Sequence, residues 1–294
     1  MTILADHPGS SRRNQSTYGW RTVQRILQMM PMVSLVAEVI RQEQLMVYAR
    51  LYWLSKRKSR RVTGVFHFPF GPVRYVDARS LIDQYCEIFI NRQYEVIGLG
   101  NAPRIIDCGG NIGLSVLWFK QRYPDSHVIV YEADPLIVPM LIKNIHEYDL
   151  DSVDVVQAAV GTGSEPVTFL SDGIDGGRVG QGEGIRVDSV RLSDQIEGPI
   201  DILKVDIEGS EFALFKDLCR TGKIAHVKHI VCEIHGRSDS QDDITGLCMD
   251  LTRNGFRLTV SWAQTVASIP GPADPTPFPA VGSGKFLMYL YAWR

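Results

Sequence analysis

Arg104-Ile-Ile-Asp-Cys-Gly-Gly-Asn-Ile-Gly-Leu-Ser115 runs along an apolar strand, ends it in an acid, turns through glycines and opens a helix. About twenty residues past the turn, Val128-Ile-Val-Tyr-Glu-Ala133 reads as a second strand that ends in another acid. Strand, glycine turn, helix and strand-terminal acid form the layout of a nucleoside-binding unit. The rest of the chain reads as what is built around that unit.

Downstream, strands and helices alternate. Ile105 and Ile106 begin a strand expected to be buried on both faces, Leu114–Tyr123 a helix, Val128–Tyr131 a strand, and Pro135 a helix running through Ile145. Val153–Val160 and Val167–Leu170 read as strands. Ser171–Gly184, with six glycines, reads as a flexible loop. Val187–Leu192 and Ile200–Val205 are further strands. A helix Phe212–Leu218 follows with Ser210 as its cap, then a strand His229–Ile234 and a helix Ile244–Arg253 closed by Asn254-Gly255. Phe256–Trp262 and Lys285–Trp293 are strands joined by a stiff loop, 263–284, with prolines at 270, 272, 275, 277 and 279. Alternation predicts a mostly parallel α/β sheet, and the closing pair of strands predicts an antiparallel final strand, as in the seven-stranded methyltransferase sheet.

Upstream, residues 1–19 are polar and aperiodic and read as a disordered tail. From Trp20 to Leu54 the apolar spacing is helical, interrupted at Pro31, and five bases follow in Lys56-Arg-Lys-Ser-Arg-Arg61. Two readings of 1–61 stand. The helices pack on the domain or on a second subunit, giving a homo-oligomer, or residues 20–61 lie peripherally on an inner membrane face. Residues 62–103 read as a cap of two short strands and an aromatic-rich helix, Ser80–Tyr94, leaving 104–294 as the main domain.

A net charge of −2 gives no reason to expect nucleic acid as a partner. Five cysteines without a CxxC pair suit free thiols in a reducing compartment, and no signal peptide or membrane-spanning run is expected, so the location predicted is cytoplasmic.

Ligands of open parallel sheets bind past the carboxyl ends of the strands. Asp107, Glu132, Asp206, Glu208 and His235 all fall there. Gly109, Gly110, Asn111 and Gly113 let the turn approach a ligand. Asp107 ahead of an incomplete glycine motif disfavours a diphosphate and suits a cationic ligand such as S-adenosylmethionine. Glu132 is placed for both ribose hydroxyls, Ala158 and Ala159 for an adenine wall, and Asp134 for the same end or for a helix cap. Asp206, Glu208 and Glu211 repel one another unless a cation or proton is present. Asp206 is expected at the methionine end of the cofactor or at the acceptor; Glu208 acts likewise or pairs with Lys204. Alternation puts Glu233 and His235 on one strand face, so the carboxylate could orient an imidazole that removes a proton, the alternative being a structural histidine. His226 and His229 fall at the strand's entry, and Cys108 and Cys232 in the core. No residue spacing demands a metal.

Asp107-Cys-Gly-Gly-Asn-Ile-Gly113, Tyr131-Glu-Ala-Asp-Pro135, Leu203-Lys-Val-Asp-Ile-Glu-Gly-Ser-Glu211 and Val231-Cys-Glu-Ile-His235 together resemble the FkbM family of S-adenosylmethionine-dependent methyltransferases, over about residues 80–260. Gly110 departs from the family's more usual alanine, and Val190-Arg-Leu-Ser-Asp194 from its Leu-Asp-Asp type of segment. The resemblance implies the class I methyltransferase fold and O-methylation of a hydroxyl on a sugar, glycan or natural product. Other expectations weighed are a nicotinamide-dependent oxidoreductase and a non-catalytic cofactor-binding protein of a glycan assembly complex.

Overall fold

A computed structural model describes residues 41–237, 241–262 and 285–294. The expected tail, the first part of the helical extension and the proline-rich loop 263–284 lie outside the described residues. The chain divides into two compact units, Met1–Ala49 and Arg50–Arg294. In the first, the described residues 41–49 are helical. The second opens with helical residues 50–57, where the Arg57 guanidinium lies 3.5 Å from the centre of the Trp53 ring. Two bases of the 56–61 run are tied down within this unit. Arg60 Nε pairs with Asp77 at 3.0 Å, and Arg61 Nε donates to the Asp172 carbonyl. Among the described residues no helix is long and apolar enough to cross a membrane.

Strands β1 (Gly64–Phe68) and β2 (Gly71–Tyr75) form an antiparallel hairpin. Helix α1 (Ala78–Tyr85) follows, capped by Asp77, whose carboxylate accepts from the backbone N–H of Arg79 and Ser80. It continues as a π-helical turn, Cys86–Ile90, and so ends before the expected Tyr94. Stacked rings carry the hairpin onto the core: Phe70 on Phe89 at 5.0 Å, and Phe89 edge-on to Trp118 at 5.4 Å.

The main sheet comprises β3 (Arg104–Cys108), β4 (His127–Glu132), β5 (Val153–Gln157), β11 (Ile200–Val205), β12 (Val227–Arg237), β13 (Arg257–Trp262) and β14 (Lys285–Trp293). Its order is β13-β14-β12-β11-β3-β4-β5, parallel except for β14, which runs antiparallel to both neighbours. This is the class I methyltransferase topology, with the expected closing hairpin. Ile105, Ile106, Asp107 and Cys108 are all buried, as a central strand of a doubly covered sheet requires. Helices α2 (Leu114–Arg122) and α3 (Val138–Glu147) follow β3 and β4. α5 (Glu211–Arg220) and α6 (Gln241–Arg253) supply Leu214, Phe215, Leu218, Leu247 and Leu251 to a core shared with Ile106, Leu203 and Ile230.

Several local expectations are corrected. The helix after β4 starts at Val138, with Pro139 in its first turn, because Asp134 uses its carboxylate and carbonyl to hold a turn from Leu136 to Val138. The third strand leaves the sheet after Gln157. β6 (Ala159–Gly161) pairs instead with β10 (Ser189–Arg191), which leads into the short α4 (Leu192–Gln195). The glycine-rich segment carries β8 (Arg178–Val179), paired with β7 (Val167–Leu170), which also pairs with β9 (Ile185–Val187). Ser210 occupies the cap position of α5 without a side-chain bond; Glu211 serves there instead, accepting from the N–H of Ile207 and Gly209.

Asn144 on α3 stitches three segments together and is wholly buried. Its Oδ1 accepts from Arg74 N–H, and its Nδ2 donates to the carbonyls of Arg74 and Ile112. Asn144→Leu leaves those groups of the hairpin and the glycine turn unpaired. The expected loss is about 2–4 kcal/mol of unfolding free energy by urea denaturation, against near zero for Lys143→Leu on the same helix.

Candidate active site

A cavity of about 340 Å³ opens past the carboxyl ends of β3, β4, β5 and β11. At β3 the chain turns sharply. Gly109 has φ +92°, and a Cβ there would lie 1.9 Å from the Asp206 carbonyl oxygen. A side chain at Gly110 would run into Val130. Both glycines line the cavity, as does Asn111. Asn111 ties the walls together: its N–H donates to Glu132 Oε2, its Nδ2 to the Ile174 carbonyl, and its Oδ1 accepts from Gln84. Gly113 and Asp107 do not line the cavity, which corrects their expected role as ligand contacts. Gly113 is needed for packing, since its φ is +91° and a Cβ would meet Leu141 at 2.7 Å.

Asp107 is buried and already paired. β3 and β11 run parallel in a register that sets Lys204 beside Asp107. Lys204 Nζ lies 3.1 Å from Asp107 Oδ1 and 3.6 Å from Asp206 Oδ2, and donates to the Gly109 carbonyl. Burial pulls this ammonium down, but Asp107 and Asp206 outweigh it and hold it above its usual range. Ser115 Oγ donates to Asp107 as well. The expected Lys204–Glu208 pair is therefore replaced by Lys204 with Asp107 and Asp206.

Glu132, the acid of β4, is 8% exposed and faces the cavity. Its two oxygens accept from the N–H of Asn111 and Asp134, and each keeps room for a further donor. Burial pushes its carboxyl up to about 7 against those two hydrogen bonds. Ala158 and Ala159 line the same end with Val160 and Ile137. Asp134 joins them, holding the Leu136 N–H and accepting from Ser171 Oγ.

The other end is crowded with acids. Asp206 and Glu208 line it, Glu208 in a left-handed backbone at φ +57°. From the sequence, the glycine-rich segment and the cap are expected to close over this end; the acids they bring were missed. Asp83 and Glu87 reach the cavity from α1 and the π turn, Asp175 from the segment before β8, and Glu233 from β12. A cue was legible: residues 83, 84, 87 and 88 fall at helical spacing on one face. Burial and Asp206 push Glu87 up to about 8; burial and Asp206 also raise Glu233 well above the carboxylate range.

His235 does not line the cavity. Its Nδ1 is 3.1 Å from Glu211 Oε1, and its Nε2 is 3.4 Å from Glu208 and 3.6 Å from Glu233. Glu211, not Glu233, is therefore the carboxylate that orients the ring. Burial pulls the imidazole down, but the Glu211 hydrogen bond and the charges of Asp206 and Glu208 hold it up at about 10. With Nδ1 against Glu211 and Nε2 turned to Glu208, the ring is engaged by acids and reaches the cavity only behind Glu208, which departs from its expected role as a free base. His229 bonds the Asp201 carbonyl at the strand's entry, and Cys108 and Cys232 are buried, all as expected.

The cavity fits a nucleoside that carries positive charge. Glu132 and the apolar wall suit ribose and base. Among the described lining residues Lys204 is the only base, and it is spent on Asp107 and Asp206, so nothing there would receive a diphosphate.

Three comparisons bear on this site. A family model described as the Methyltransferase FkbM domain matches residues 107–258. The chain is 27% identical over 221 residues to "Methyltransferase sdnD" of Sordaria araneosa, covering 61% of this chain and 83% of that one. It is 25% identical over 236 residues to "31-O-demethyl-FK506 methyltransferase FkbM" of Streptomyces tacrolimicus, covering 66% and 89%. A crystal structure of an FkbM methyltransferase from Methylobacillus flagellatus superposes with a TM-score of 0.48 at 14% identity, over 73% of this chain and 50% of that one. With the family model spanning more than half of the sequence, over the strands and turns that build the cavity, the chain belongs to the FkbM family of methyltransferases.

Proposed function

We propose that this protein methylates a hydroxyl oxygen of a sugar, glycan or natural product, with S-adenosylmethionine as the methyl donor. The observation that carries this reading is the polarity of this cavity: an acid suited to ribose and an apolar wall at one end, a cluster of carboxyl groups at the other. Glu132, Gly109, Gly110, Asn111 and Ala158 would hold the nucleoside, and Asp206 would face its charged methionine end. When bound, the donor supplies a methyl group already activated on a sulfonium, so the protein's task is alignment. Asp206 and Glu208 line the cavity, which supports them as the groups that meet the acceptor hydroxyl. Lys204 holds Asp206 and the Gly109 carbonyl in register, while His235 and Glu211 hold Glu208. The relative named a demethyl-FK506 methyltransferase supports a natural-product hydroxyl as acceptor.

Calorimetry with S-adenosylmethionine and with NAD tests the donor. Saturable binding of the first alone is expected, and binding of NAD alone would overturn the reading. Incubation with candidate glycan and natural-product acceptors should then give a product heavier by one methylene, with the new carbon on oxygen by NMR.

The raised carboxyl of Glu132 makes a further prediction. Ribose hydroxyls donate best to the ionised form, which is lost as pH falls through about 7. Donor affinity should therefore rise between about pH 6 and 8 in the native protein, by up to about tenfold. Glu132→Gln should bind more weakly and lose this pH dependence. An unchanged profile in the variant would remove Glu132 from the ribose site.

A further inference from the structure

At the carboxylate-rich end of the cavity, acids from several elements converge on one ammonium and one imidazole. Asp206, Glu208 and His235 each offer one ligating atom, and these atoms lie within 4.8 Å of one another. They come from two adjacent strand ends: Asp206 and Glu208 from the turn after β11, and His235 from β12. The histidine is arranged as metal-binding histidines are. Its Nδ1 faces Glu211 Oε1 at 3.1 Å, which fixes the ring's orientation and turns Nε2 toward Glu208 Oε2 at 3.4 Å. Glu211 is wholly buried, and its second oxygen has no hydrogen-bond partner among the described residues. The other oxygen, Oε1, takes the imidazole together with the N–H of Ile207 and Gly209, so this buried carboxylate still has one oxygen unmet beside the cluster. Lys204, the nearest other cation, is 3.1 Å from Asp107 and closer to it than to Asp206.

We propose that Asp206, Glu208 and His235 form a binding site for a divalent cation of the hard to borderline class, Mg²⁺ or Mn²⁺, at the rim of the cavity. Two carboxylates and one imidazole suit such an ion, and three protein ligands leave coordination positions for water or for acceptor oxygens. The ion takes the place of the proton on Nε2. This deepens the reading above and rests on it for the ion's use: Asp206 and Glu208 meet the acceptor hydroxyl through the cation, which makes that oxygen more acidic and holds it facing the donor. An acceptor with two neighbouring oxygens, such as a vicinal diol, is the class that can chelate an ion presented in this way.

The experiment reads the ion itself. The full chain, stripped with a chelator and without donor, is titrated with Mn²⁺ near pH 7.5, and free Mn²⁺ is followed by electron paramagnetic resonance. Saturation at about one ion per chain is expected. Glu208→Gln and His235→Gln should weaken it by about tenfold or more, and Asp154→Asn, an exposed acid on β5, should leave it unchanged. Selective broadening of the His235 ring signal by Mn²⁺ gives the same answer in the native chain, without any variant. No saturable binding, or binding that both variants keep with the His235 signal intact, would overturn the site. Donor affinity measured in chelator separates the two claims. Donor binding without ion binding sinks the ion site alone; ion binding without donor binding sinks the methyl-transfer reading alone.

Discussion

The structure turns on one buried ammonium. Lys204 is 2% exposed and sits beside Asp107 because β3 and β11 run parallel in a single register. Moving either strand by one residue would put the ammonium on the opposite face of the sheet from its carboxylate. A buried cation without its partner is costly, so the pair selects the register as well as satisfying it. The same Nζ donates to the Gly109 carbonyl and approaches Asp206. One side chain thereby ties the glycine turn to Asp206, the first acid after β11.

From that point the cavity's two ends diverge in electrostatics. At one end, Glu132 is held by two backbone donors, with Asp134 and Lys204 as its charged neighbours. At the other, carboxyl groups arrive from α1, the π turn, β11, β12 and the segment before β8. Burial and mutual repulsion raise Glu87, Glu208 and Glu233, and drive the one imidazole in contact with them upward. Upward shifts of acids and imidazole together show carboxyl groups crowded around one ring, an arrangement that favours added positive charge.

Strand ends, the glycine turn and the closing hairpin were legible because each is a local pattern: apolar runs, a spacing of acids, a pair of strands without a helix between them. Glu132 and the Ala158–Ala159 wall followed from that same logic. What the residues could not disclose in isolation was partnership across the sheet. Lys204 has Asp107 as its partner, nearly a hundred positions away, and only strand register brings the two together. Glu211 displaced Glu233 as the orienting acid because α5 begins directly beneath the His235 ring, a matter of helix placement and not of strand alternation. Gly113 resembled a ligand contact by spacing and proved to be a packing glycine against Leu141. The segment 171–184 looked like pure loop because glycine content hides the two-residue strand that β7 recruits.

The departure of the chain from the main sheet at Ala158 has a consequence for how the cavity wall is divided. Up to Gln157 the strand is bound into the seven-stranded register; from Ala159 it belongs to a separate pair with β10. Everything between, including the small sheet and Asp175, is an excursion that begins and ends on that pair. Together with α1 and its π turn, it supplies much of the wall remote from the sheet. Neither Lys204 nor Glu132 belongs to these excursions; both sit on strands of the main sheet. The excursion is not wholly separate from the sheet side of the cavity, because Ala159, Val160 and Phe169 belong to it and line the cavity beside Glu132.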